Sequence, residues 1–470
     1  MPRAATDAAD SPCPKTERIA MSTPALNDAS PTGTHAVPLT ETPEQARRRQ
    51  RRMALAAVVG TAVEWYDFYL YAAMASIVFA TVFFPEGDSK FAALQSLATF
   101  AVGFLARPVG GVVFGALGDR IGRKRTLVVT FILMGVSTGV IGFLPDFATI
   151  GMWAPIALVL LRILQGLGAG AEFASAAVAS YEHADVAKRG SMGSWPTLGM
   201  NLGLVLSAAT VFVISLLGDD FLTTVGWRIP FVASFALVAV GLWIRASVPE
   251  TPDFAQESEQ RRTKAFPLIA LLRQDWRGLA VVIGIALGCT SISYIFKTFS
   301  LAYLTQFKGV SAADSALGVT LAGIAAVLVI PLLGRLCDRW SSKRVLIVGG
   351  VLSGVWATFF LALLNTGETW AIWTALIVGT GVLVPTMMAA QGSFYSRQFP
   401  VATRASGVGT AREFGTSVAG GAAPLGALAL VTASPTHSTV GVGVVLVGAA
   451  VLAVVPAMFD QGTKHSAYKN

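Results

Sequence analysis

Two carboxylates and a tyrosine stand at helical spacing in one apolar segment, as Glu64, Asp67 and Tyr71. Steps of three and four residues place all three side chains on one face of a helix. Two carboxylates so close in a poorly hydrated environment oppose double ionisation, so at least one of them is expected to hold a proton. The pattern predicts proton-carrying chemistry with Glu64 as the preferred carrier, whereas a structural ion pair is the alternative for Asp67. Trp65 and Phe68 fall on other faces of this helix, and we predict that they pack or contact lipid.

An arginine occurs near the middle of the next apolar segment. Arg107 precedes Gly118 by a helical distance of about 16 Å, which places it close to the centre of a bilayer. A guanidinium stays charged and needs an anion, either Glu64 or Asp67 or an acidic group of a bound substrate. We therefore predict a role for Arg107 in substrate binding or at the proton site, with a purely structural ion pair as the alternative.

Another apolar segment carries Arg162, Gln165 and Glu172. Seven residues nearly complete two helical turns, so these three side chains share a limited arc. We expect them to face the same cavity as the first segment. Glu172 pairs with Arg162 or with a basic group on another helix, or else it forms an ion pair near the cytoplasmic end of its own helix.

A lysine in the second half of the chain belongs to a polar stripe. Lys297 is accompanied at helical spacing by Thr290, Ser293, Tyr294, Ser300 and Tyr303. We predict that Lys297 and Tyr294 help to bind a substrate carboxylate, and the alternative is a lysine that extends to the outer interface. Arg412 and Glu413 are adjacent and therefore point to different helix faces, so we predict that they lie outside the site.

These residues are carried by a strongly apolar chain. Of its 470 residues 54% are hydrophobic and only 13% are charged, and the mean hydropathy of +0.62 excludes an ordinary soluble protein. Because the bilayer core offers no partners to exposed backbone groups, spans of about 20 apolar residues should be helices. We predict an all-α integral membrane protein of about twelve transmembrane helices. They begin near Met53, Phe91, Thr126, Gly151, Ser194, Arg228, Leu279, Ala313, Val345, Trp370, Ala405 and Val440.

One motif occurs twice between these apolar segments, as GALGDRIGRKR at 115–125 and as GRLCDRWSSKR at 334–344. A repeat over half of the apolar chain predicts two six-helix halves around a central cavity, which suggests a transporter. We predict that the motif residues form ion pairs between the halves that open and close the cavity, and the alternative is a solvated turn that only enforces topology. The predicted gating residues are Gly115, Asp119, Arg120, Arg123, Lys124, Asp338, Arg339 and Lys343.

Lysine and arginine are distributed to one side of the predicted spans. Basic residues concentrate before the first span and after every second one, whereas the opposite loops contain mainly Lys90 and Lys308. Basic loops remain in the cytoplasm, which predicts a multi-pass protein of the bacterial inner membrane with both termini cytoplasmic. The predicted regions are a disordered cytosolic leader at 1–46, halves at 47–247 and 277–460, a cytoplasmic linker at 248–276 and a cytosolic tail at 461–470. Translation from Met1 and from Met21 are both compatible with this leader.

The charge and the reactive residues limit the partners and the chemistry. The net charge of +8 follows from the basic inner face, which favours membrane lipids rather than nucleic acid as partners. The three cysteines are isolated and the four histidines are neither in mid-span nor at metal spacing, so no metal or cofactor is predicted. Nucleophile and nucleotide motifs are missing, and we do not predict an enzyme. The functional unit is expected to be a monomer.

Several further motifs resemble the major facilitator superfamily and, within it, the metabolite:proton symporter group. They are VEWYDFYLY at 63–71, FLARPVGGVVFG at 104–115, RILQGLGAG at 162–170, GAEFASAA at 170–177, GWRIPF at 226–231 and PETPDF at 249–254. The resemblance implies a proton-coupled symporter that works by alternating access, with Arg162 participating in coupling. The basic groups in the predicted cavity spans favour import of a small organic acid or related metabolite. A symporter of a zwitterion such as an amino acid or betaine is the alternative, and a non-transporting membrane sensor is a third. The chain departs from the group's pattern at Lys297, at Arg412 and Glu413, and at Ser341 and Ser342 of the second loop motif.

Overall fold

Twelve long helices account for most of the computed structural model, which describes residues 43–84, 89–121, 123–169, 178, 180–181, 184, 186–247, 275–400 and 403–460. Within these ranges no β-strand occurs. The first half contains α1 Pro43–Ile77, α2 Ser89–Ile121, α3 Arg123–Ile141, α4 Trp153–Ala169, α5 Arg189–Ser215 and α6 Arg228–Ser247. The second half contains α7 Trp276–Phe307, α8 Ala312–Trp340, α9 Ser342–Thr366, α10 Thr369–Arg397, α11 Arg404–Ala433 and α12 Val440–Met458.

Short segments precede or connect some of these helices. They are the α-helices Phe79–Phe83, Phe147–Ile150 and Asp219–Phe221, the 3-10 helix Val186–Lys188 and the π-helix Leu222–Gly226. The described residues from 49 onward form one compact unit. The domain boundaries predicted from the sequence remain predictions.

The length and composition of the helices fit a bilayer. Eight of them, α2, α5 and α7 to α12, are long and apolar enough to cross a membrane, and α6 joins them when it is taken with the bent segment before it. Helices α3 and α4 have shorter apolar stretches, and α1 contains the two carboxylates Glu64 and Asp67. The all-α membrane fold with about twelve helices is therefore confirmed.

Burial in this protein is inverted relative to a soluble one. Leu105, Val109 and Val113 on α2 are more than half exposed, whereas Arg107 between them is fully buried. Exposed apolar side chains on a long helix contact lipid, and charges inside a bilayer protein face the bundle interior. The arginine of α2 therefore belongs to the interior of the protein.

The two halves meet along two helix pairs, α2 with α11 and α5 with α8. Small residues permit the close approach, as a Cβ on Gly420 would lie 2.7 Å from the Phe104 ring and one on Gly323 would lie 2.7 Å from Val205. Helices α7 and α10 each contain a π-turn, Ile295–Phe299 and Gly379–Leu383, and the two π-turns are in contact. Such turns re-aim the side chains that follow them and are frequent at functional sites.

Candidate transport site

Seven charged side chains are buried in the described part of the chain. The cations are Arg107, Arg162, Lys297 and Arg412, and the carboxylates are Glu64, Asp67 and Glu413. A charge near the centre of a bilayer costs roughly 2.5 to 3.5 kcal/mol on insertion scales. The buried cations and carboxylates are therefore expected to lie close to one another. With all seven ionised, the described cations exceed the described carboxylates by one.

Arg107 on α2 connects the halves through two carboxylates. Its Nε lies 3.1 Å from Oε2 of Glu413 on α11, and its Nη2 lies 4.0 Å from Oε1 of Glu64 on α1. Glu413 also pairs with its neighbour Arg412, with 2.7 Å between Oε1 and Nη1. Arg412 and Glu413 were predicted from the sequence to lie outside the site. Both side chains are buried, because α11 packs closely against both α2 and α7 and encloses this turn.

Aromatic rings complete the surroundings of Arg107. Its guanidinium carbon lies 5.5, 5.0 and 5.5 Å from the ring centroids of Trp65, Phe68 and Phe104. The faces of such rings attract a cation without neutralising it. Trp65 and Phe68, predicted from the sequence to pack or contact lipid, are buried and pack on this arginine.

Asp67 belongs to a separate network inside the first half. Its carboxylate accepts hydrogen bonds from the hydroxyl of Thr138 on α3 at 3.1 Å and of Ser234 on α6 at 2.9 Å. The Thr138 hydroxyl accepts a hydrogen bond from the Gln165 amide at 2.8 Å. The side-chain carbonyl of Gln165 in turn accepts a hydrogen bond from the Arg162 guanidinium. Four helices therefore contribute to one chain of polar contacts that links Asp67 to Arg162.

Arg162 on α4 lies within a cage of aromatic rings. Its guanidinium carbon is 4.7, 4.1 and 5.2 Å from the ring centroids of Phe68, Tyr71 and Phe100. A Cβ on Gly103 would collide with this guanidinium, so the glycine of α2 provides the space that the arginine occupies. The Tyr71 hydroxyl hydrogen-bonds the Thr99 hydroxyl at 2.6 Å. The predicted residues Tyr71, Arg162 and Gln165 thus lie in one interior region.

Lys297 lies in the π-turn of α7 and is buried, so it does not extend to the interface. Its Nζ donates a hydrogen bond to the Tyr69 hydroxyl at 3.1 Å, which joins α7 to α1 across the two halves. The same ammonium is 4.6 Å from the Tyr69 ring centroid and 5.4 Å from that of Tyr294. Its surroundings are aromatic, and no described carboxylate forms an ion pair with it.

The second half presents buried polar atoms that make no hydrogen bond within the described residues. They include the hydroxyls of Ser293, Tyr294, Thr380, Tyr395 and Ser417 and the amide nitrogen of Gln391. Buried donors normally find partners, and one left without costs about 1–3 kcal/mol. Of these six residues, only Tyr294 was predicted from the sequence to bind substrate. Gln391 and Tyr395 are one helical turn apart in an apolar segment. That spacing could have identified both as candidate site residues from the sequence.

The second loop motif contacts the start of α5 in the first half. Oδ1 of Asp338 accepts the backbone N–H of Gly190 at 2.7 Å and of Ser191 at 3.2 Å, and its carboxylate also accepts the Ser191 hydroxyl. A carboxylate at a helix N-terminus satisfies otherwise unpaired N–H groups and complements the helix dipole. Asp338 therefore joins α8 of one half to α5 of the other, and its role in a gate stays a prediction.

The other gating candidates are placed differently. Arg339 is exposed, and the Lys343 ammonium donates to the Met458 carbonyl at 3.3 Å within the second half. Gly115, Asp119, Arg120, Arg123 and Lys124 occupy helical backbone positions, but their side chains lie outside the described residues, as does all of Glu172.

Contacts between the halves occur on both faces of the bundle. On the face of the loop motifs, the Thr197 hydroxyl donates to the Met388 carbonyl at 3.1 Å, in addition to the Asp338 contacts. On the opposite face, the Ser76 hydroxyl donates to the Thr298 carbonyl at 3.3 Å, and Lys90 contacts His437 with 2.7 Å between Nζ and Nε2. These contacts join the halves on both sides of the buried central charges.

The chain is similar in sequence and fold to known membrane transporters. The profile of the Major Facilitator Superfamily matches residues 57–424 and also residues 281–469. The chain belongs to this superfamily of membrane transporters. The match confirms the resemblance that the sequence motifs indicated, and the protein is a multi-pass membrane protein.

Three relatives are similar over most of their length. The transporter is 35% identical over 427 residues to the inner membrane metabolite transport protein YhjE of Escherichia coli strain K12, covering 88% of this chain and 95% of the relative. It is 37% identical over 390 residues to the shikimate transporter of the same organism, with 82% and 88% covered. It is 35% identical over 387 residues to the glycine betaine/proline/ectoine/pipecolic acid transporter OusA of Dickeya dadantii strain 3937, with 79% and 76% covered.

A solved structure shares the fold of the transporter. The crystal structure of a D-xylose-proton symporter superposes with a TM-score of 0.67 over 87% of this chain and 97% of the other, at 20% identity. Identity at this level supports the twelve-helix fold and carries no information about the substrate.

Proposed function

We propose that the protein is a proton-coupled symporter that imports a small organic acid or related metabolite by alternating access. The observation that carries the proposal is the position of Arg107, which is buried between Glu64 of the first half and Glu413 of the second. A permanent cation shared by carboxylates at the boundary of the halves can exchange a protein carboxylate for one on a substrate.

Proton binding and substrate binding favour each other in this arrangement. When Glu64 binds a proton it no longer competes for Arg107, and a substrate carboxylate takes its place. Asp67, linked to Arg162 through Thr138 and Gln165, is the second candidate proton carrier. Because each ligand is bound better when the other is present, the gradient of protons drives accumulation of the acid.

The second half supplies the remaining substrate contacts in this proposal. Tyr294, Gln391 and Tyr395 carry buried polar atoms without hydrogen-bond partners among the described residues. These atoms suit hydroxyl or carbonyl groups of a bound molecule. A cyclic carboxylate that carries several hydroxyls, such as shikimate, offers both the anion for Arg107 and the partners for these side chains, with Lys297 as a second cation.

Replacing Tyr395 by phenylalanine is expected to change stability and transport in opposite directions. Removal of a buried hydroxyl without a partner should leave the free energy of unfolding unchanged or raise it by about 1 kcal/mol. If the hydroxyl binds substrate, KM for uptake should rise about tenfold, since a lost hydrogen bond to a ligand is worth roughly 1.4 kcal/mol. Thermal unfolding in detergent and uptake by proteoliposomes measure the two effects.

Tyr303→Phe is the matched control, because the Tyr303 hydroxyl donates to Asn365 at 2.6 Å and its loss should lower stability. An unchanged KM in Tyr395→Phe would remove Tyr395 from the substrate site.

The proposed membrane orientation follows the distribution of basic residues. Both termini and the two loop motifs face the cytoplasm of a bacterial cell, and the protein lies in the inner membrane as a monomer surrounded by lipid. Residues 47–247 and 277–460 act as the two moving halves, joined by the linker at 248–276. The Asp338 contacts with α5 then form part of the cytoplasmic gate.

Asp338→Asn is expected to open the cytoplasmic side. The amide keeps one acceptor oxygen but loses the charge that favours the start of α5, at a cost of about 1–2 kcal/mol. Such a loss should enlarge the inward-open population about tenfold. The rate of maleimide labelling of a cysteine at Thr197, measured in inside-out vesicles of a variant whose native cysteines are replaced, reports this opening. The exposed Arg339→Gln is the control and should leave the rate unchanged. Equal labelling rates with and without the Asp338→Asn substitution would exclude Asp338 from gating.

A symporter of a zwitterion is the second candidate function, since one relative is named as a transporter of glycine betaine and proline. In that case the substrate carboxylate binds Arg107 and its ammonium binds Glu64 or Asp67. A membrane sensor without transport is disfavoured by the family. Proteoliposomes with an imposed proton gradient distinguish these functions. Saturable accumulation of shikimate that glycine betaine does not inhibit supports the organic-acid symporter, accumulation of betaine supports the alternative, and accumulation of neither solute contradicts both assignments.

A further inference from the structure

Two hydroxyl groups hold the Asp67 carboxylate, and each of them has a second acceptor within reach. The Thr138 hydroxyl lies 3.1 Å from Oδ2 of Asp67 and 2.9 Å from the Met134 carbonyl oxygen, one turn back on α3. The Ser234 hydroxyl lies 2.9 Å from Oδ1 of Asp67 and 3.3 Å from the Pro230 carbonyl oxygen on α6. A hydroxyl has a single hydrogen, so each one donates either to the carboxylate or to its own helix.

This cluster is sealed inside the first half. Asp67 is 1% exposed, and Thr138 and Ser234 are fully buried. A buried donor that loses its acceptor destabilises the protein. Asp67 can therefore gain and lose a proton easily only if every donor of the cluster finds an acceptor in both states.

The ionised state meets this condition. Both hydroxyls donate to the carboxylate, while the Thr138 oxygen accepts a hydrogen bond from the Gln165 amide at 2.8 Å. A hydrogen bond to a carboxylate is stronger than one to a neutral acceptor. Thr138 and Ser234 therefore favour the ionised form of Asp67.

The protonated state meets the condition when the proton is on Oδ2. The Oδ2–H group then donates to the Thr138 oxygen, and the Thr138 hydrogen turns to the Met134 carbonyl. The Thr138 oxygen accepts two hydrogen bonds and donates one, which is the full capacity of a hydroxyl. Oδ1 remains a carbonyl oxygen and still accepts from Ser234. A proton on Oδ1 would instead turn Ser234 to its longer contact with Pro230.

We propose that Thr138 and Ser234 are positioning residues that set the proton affinity of Asp67 and direct its proton to Oδ2. The inference rests on the proposed role of Asp67 as a proton carrier and adds the groups that determine when the proton binds. The Thr138 hydroxyl also joins Asp67 to Arg162 through Gln165. Because it keeps the Gln165 amide in both states, the proton binds without breaking this chain of polar contacts.

The charges around Asp67 do not change when the hydroxyls are replaced. Of the described groups, the charge that acts on Asp67 from another helix is Arg162 of α4. Helix α1 contributes Glu64, one turn away, and the phenol of Tyr66. Helices α3 and α6 contribute the two uncharged hydroxyls. A change in proton affinity on substitution of a hydroxyl therefore reports the lost hydrogen bond.

Infrared spectroscopy of the protein in lipid nanodiscs measures the proton on Asp67. The carbonyl band of a protonated carboxyl group that disappears in Asp67→Asn belongs to Asp67, and its intensity is followed against pH. Ser234→Ala and Thr138→Val should each raise the midpoint of this titration by about one pH unit, a tenfold gain in proton affinity. Thr138→Ser retains the hydroxyl and should keep the parent midpoint.

A neighbouring hydroxyl provides the matched control. The Ser137 hydroxyl donates to the Leu133 carbonyl at 2.7 Å, so Ser137→Ala should leave the midpoint unchanged. Ser234→Ala leaves the Gln165 amide with its acceptor, and it tests the proposal even if Thr138→Val does not fold. Ser234→Ala should also move the Asp67 band to higher frequency, because the Oδ1 carbonyl loses its hydrogen bond.

Three results would contradict the proposal. A parent-like midpoint in Ser234→Ala, or in folded Thr138→Val, would remove that residue from the control of Asp67. The absence of an Asp67 band between about pH 4 and 10 in the parent protein would overturn the whole inference. An unchanged band frequency in Ser234→Ala would overturn the placement of the proton on Oδ2. The titration is measured without substrate, whereas shikimate uptake by the unaltered protein tests the symport, so the two failures are distinguishable.

Discussion

Uptake driven by a proton gradient is expected to be lost when Arg107 is replaced by glutamine. The guanidinium lies between Glu413 and Glu64, and it is the group that we propose exchanges these carboxylates for that of the substrate. Truncating one partner of a buried, hydrogen-bonded charge pair costs about 2–5 kcal/mol, so kcat/KM should fall at least about thirtyfold. Accumulation of labelled shikimate in proteoliposomes with an acidic exterior measures the loss.

Controls separate this loss from a failure to fold. Arg107→Gln removes a cation from beside Glu64 and leaves Glu413 with Arg412, which should destabilise the protein. Thermal unfolding in detergent measures that loss, and uptake is compared only for protein that remains folded. Arg107→Lys retains the charge but not the bidentate geometry and should keep partial activity. Full uptake by folded Arg107→Gln would contradict the proposed role and leave Arg107 as a structural ion pair.

Glu64→Gln is expected to separate transport from the proton gradient. The amide imitates the protonated carboxyl, so it no longer competes for Arg107 and cannot release a proton. Gradient-driven accumulation should be abolished, whereas exchange of external for internal substrate, which needs no net proton movement, should continue. Binding of the acid should also no longer depend on proton binding at position 64. Counterflow and accumulation assays on the same proteoliposomes measure the two activities.

Asp67→Asn is the matched comparison for this prediction. Asp67 is one helical turn from Glu64, but its partners are the hydroxyls of Thr138 and Ser234 rather than Arg107. If Glu64 is the carrier, the Asp67 variant retains some gradient-driven accumulation. The reverse result, exchange without accumulation in Asp67→Asn and normal accumulation in Glu64→Gln, would show that competition for Arg107 is not the coupling step.

The number and type of the helices could be predicted from local composition. Backbone groups inside a bilayer need partners within their own segment, so a run of about 20 apolar residues is sufficient to predict a helix. Each of the predicted spans corresponds to one helix from α1 to α12. The π-turns in α7 and α10 were not predicted, because the extra residue in such a turn leaves no distinct composition in the sequence.

The members of the charged site were predicted less completely. Glu64, Asp67, Arg107, Arg162 and Lys297 were selected from the sequence because a charge within an apolar run is costly and therefore conspicuous. Glu413 is equally conspicuous, yet the rule that adjacent residues point apart excluded it. In the protein α11 is enclosed by α2 and α7, so both Arg412 and Glu413 are buried there.

The sequence by itself determined that this chain is a duplicated bundle of membrane helices with charges in its interior. Hydrophobic length and the cost of a buried charge depend only on residue type and on neighbours along one helix. The tertiary structure decided which charges meet. Arg107 pairs with Glu413 of the other half, and Asp338 contacts the start of α5, because these distances depend on how helices from the two halves pack against each other. The spacing of residues along one helix does not determine which helices it packs against.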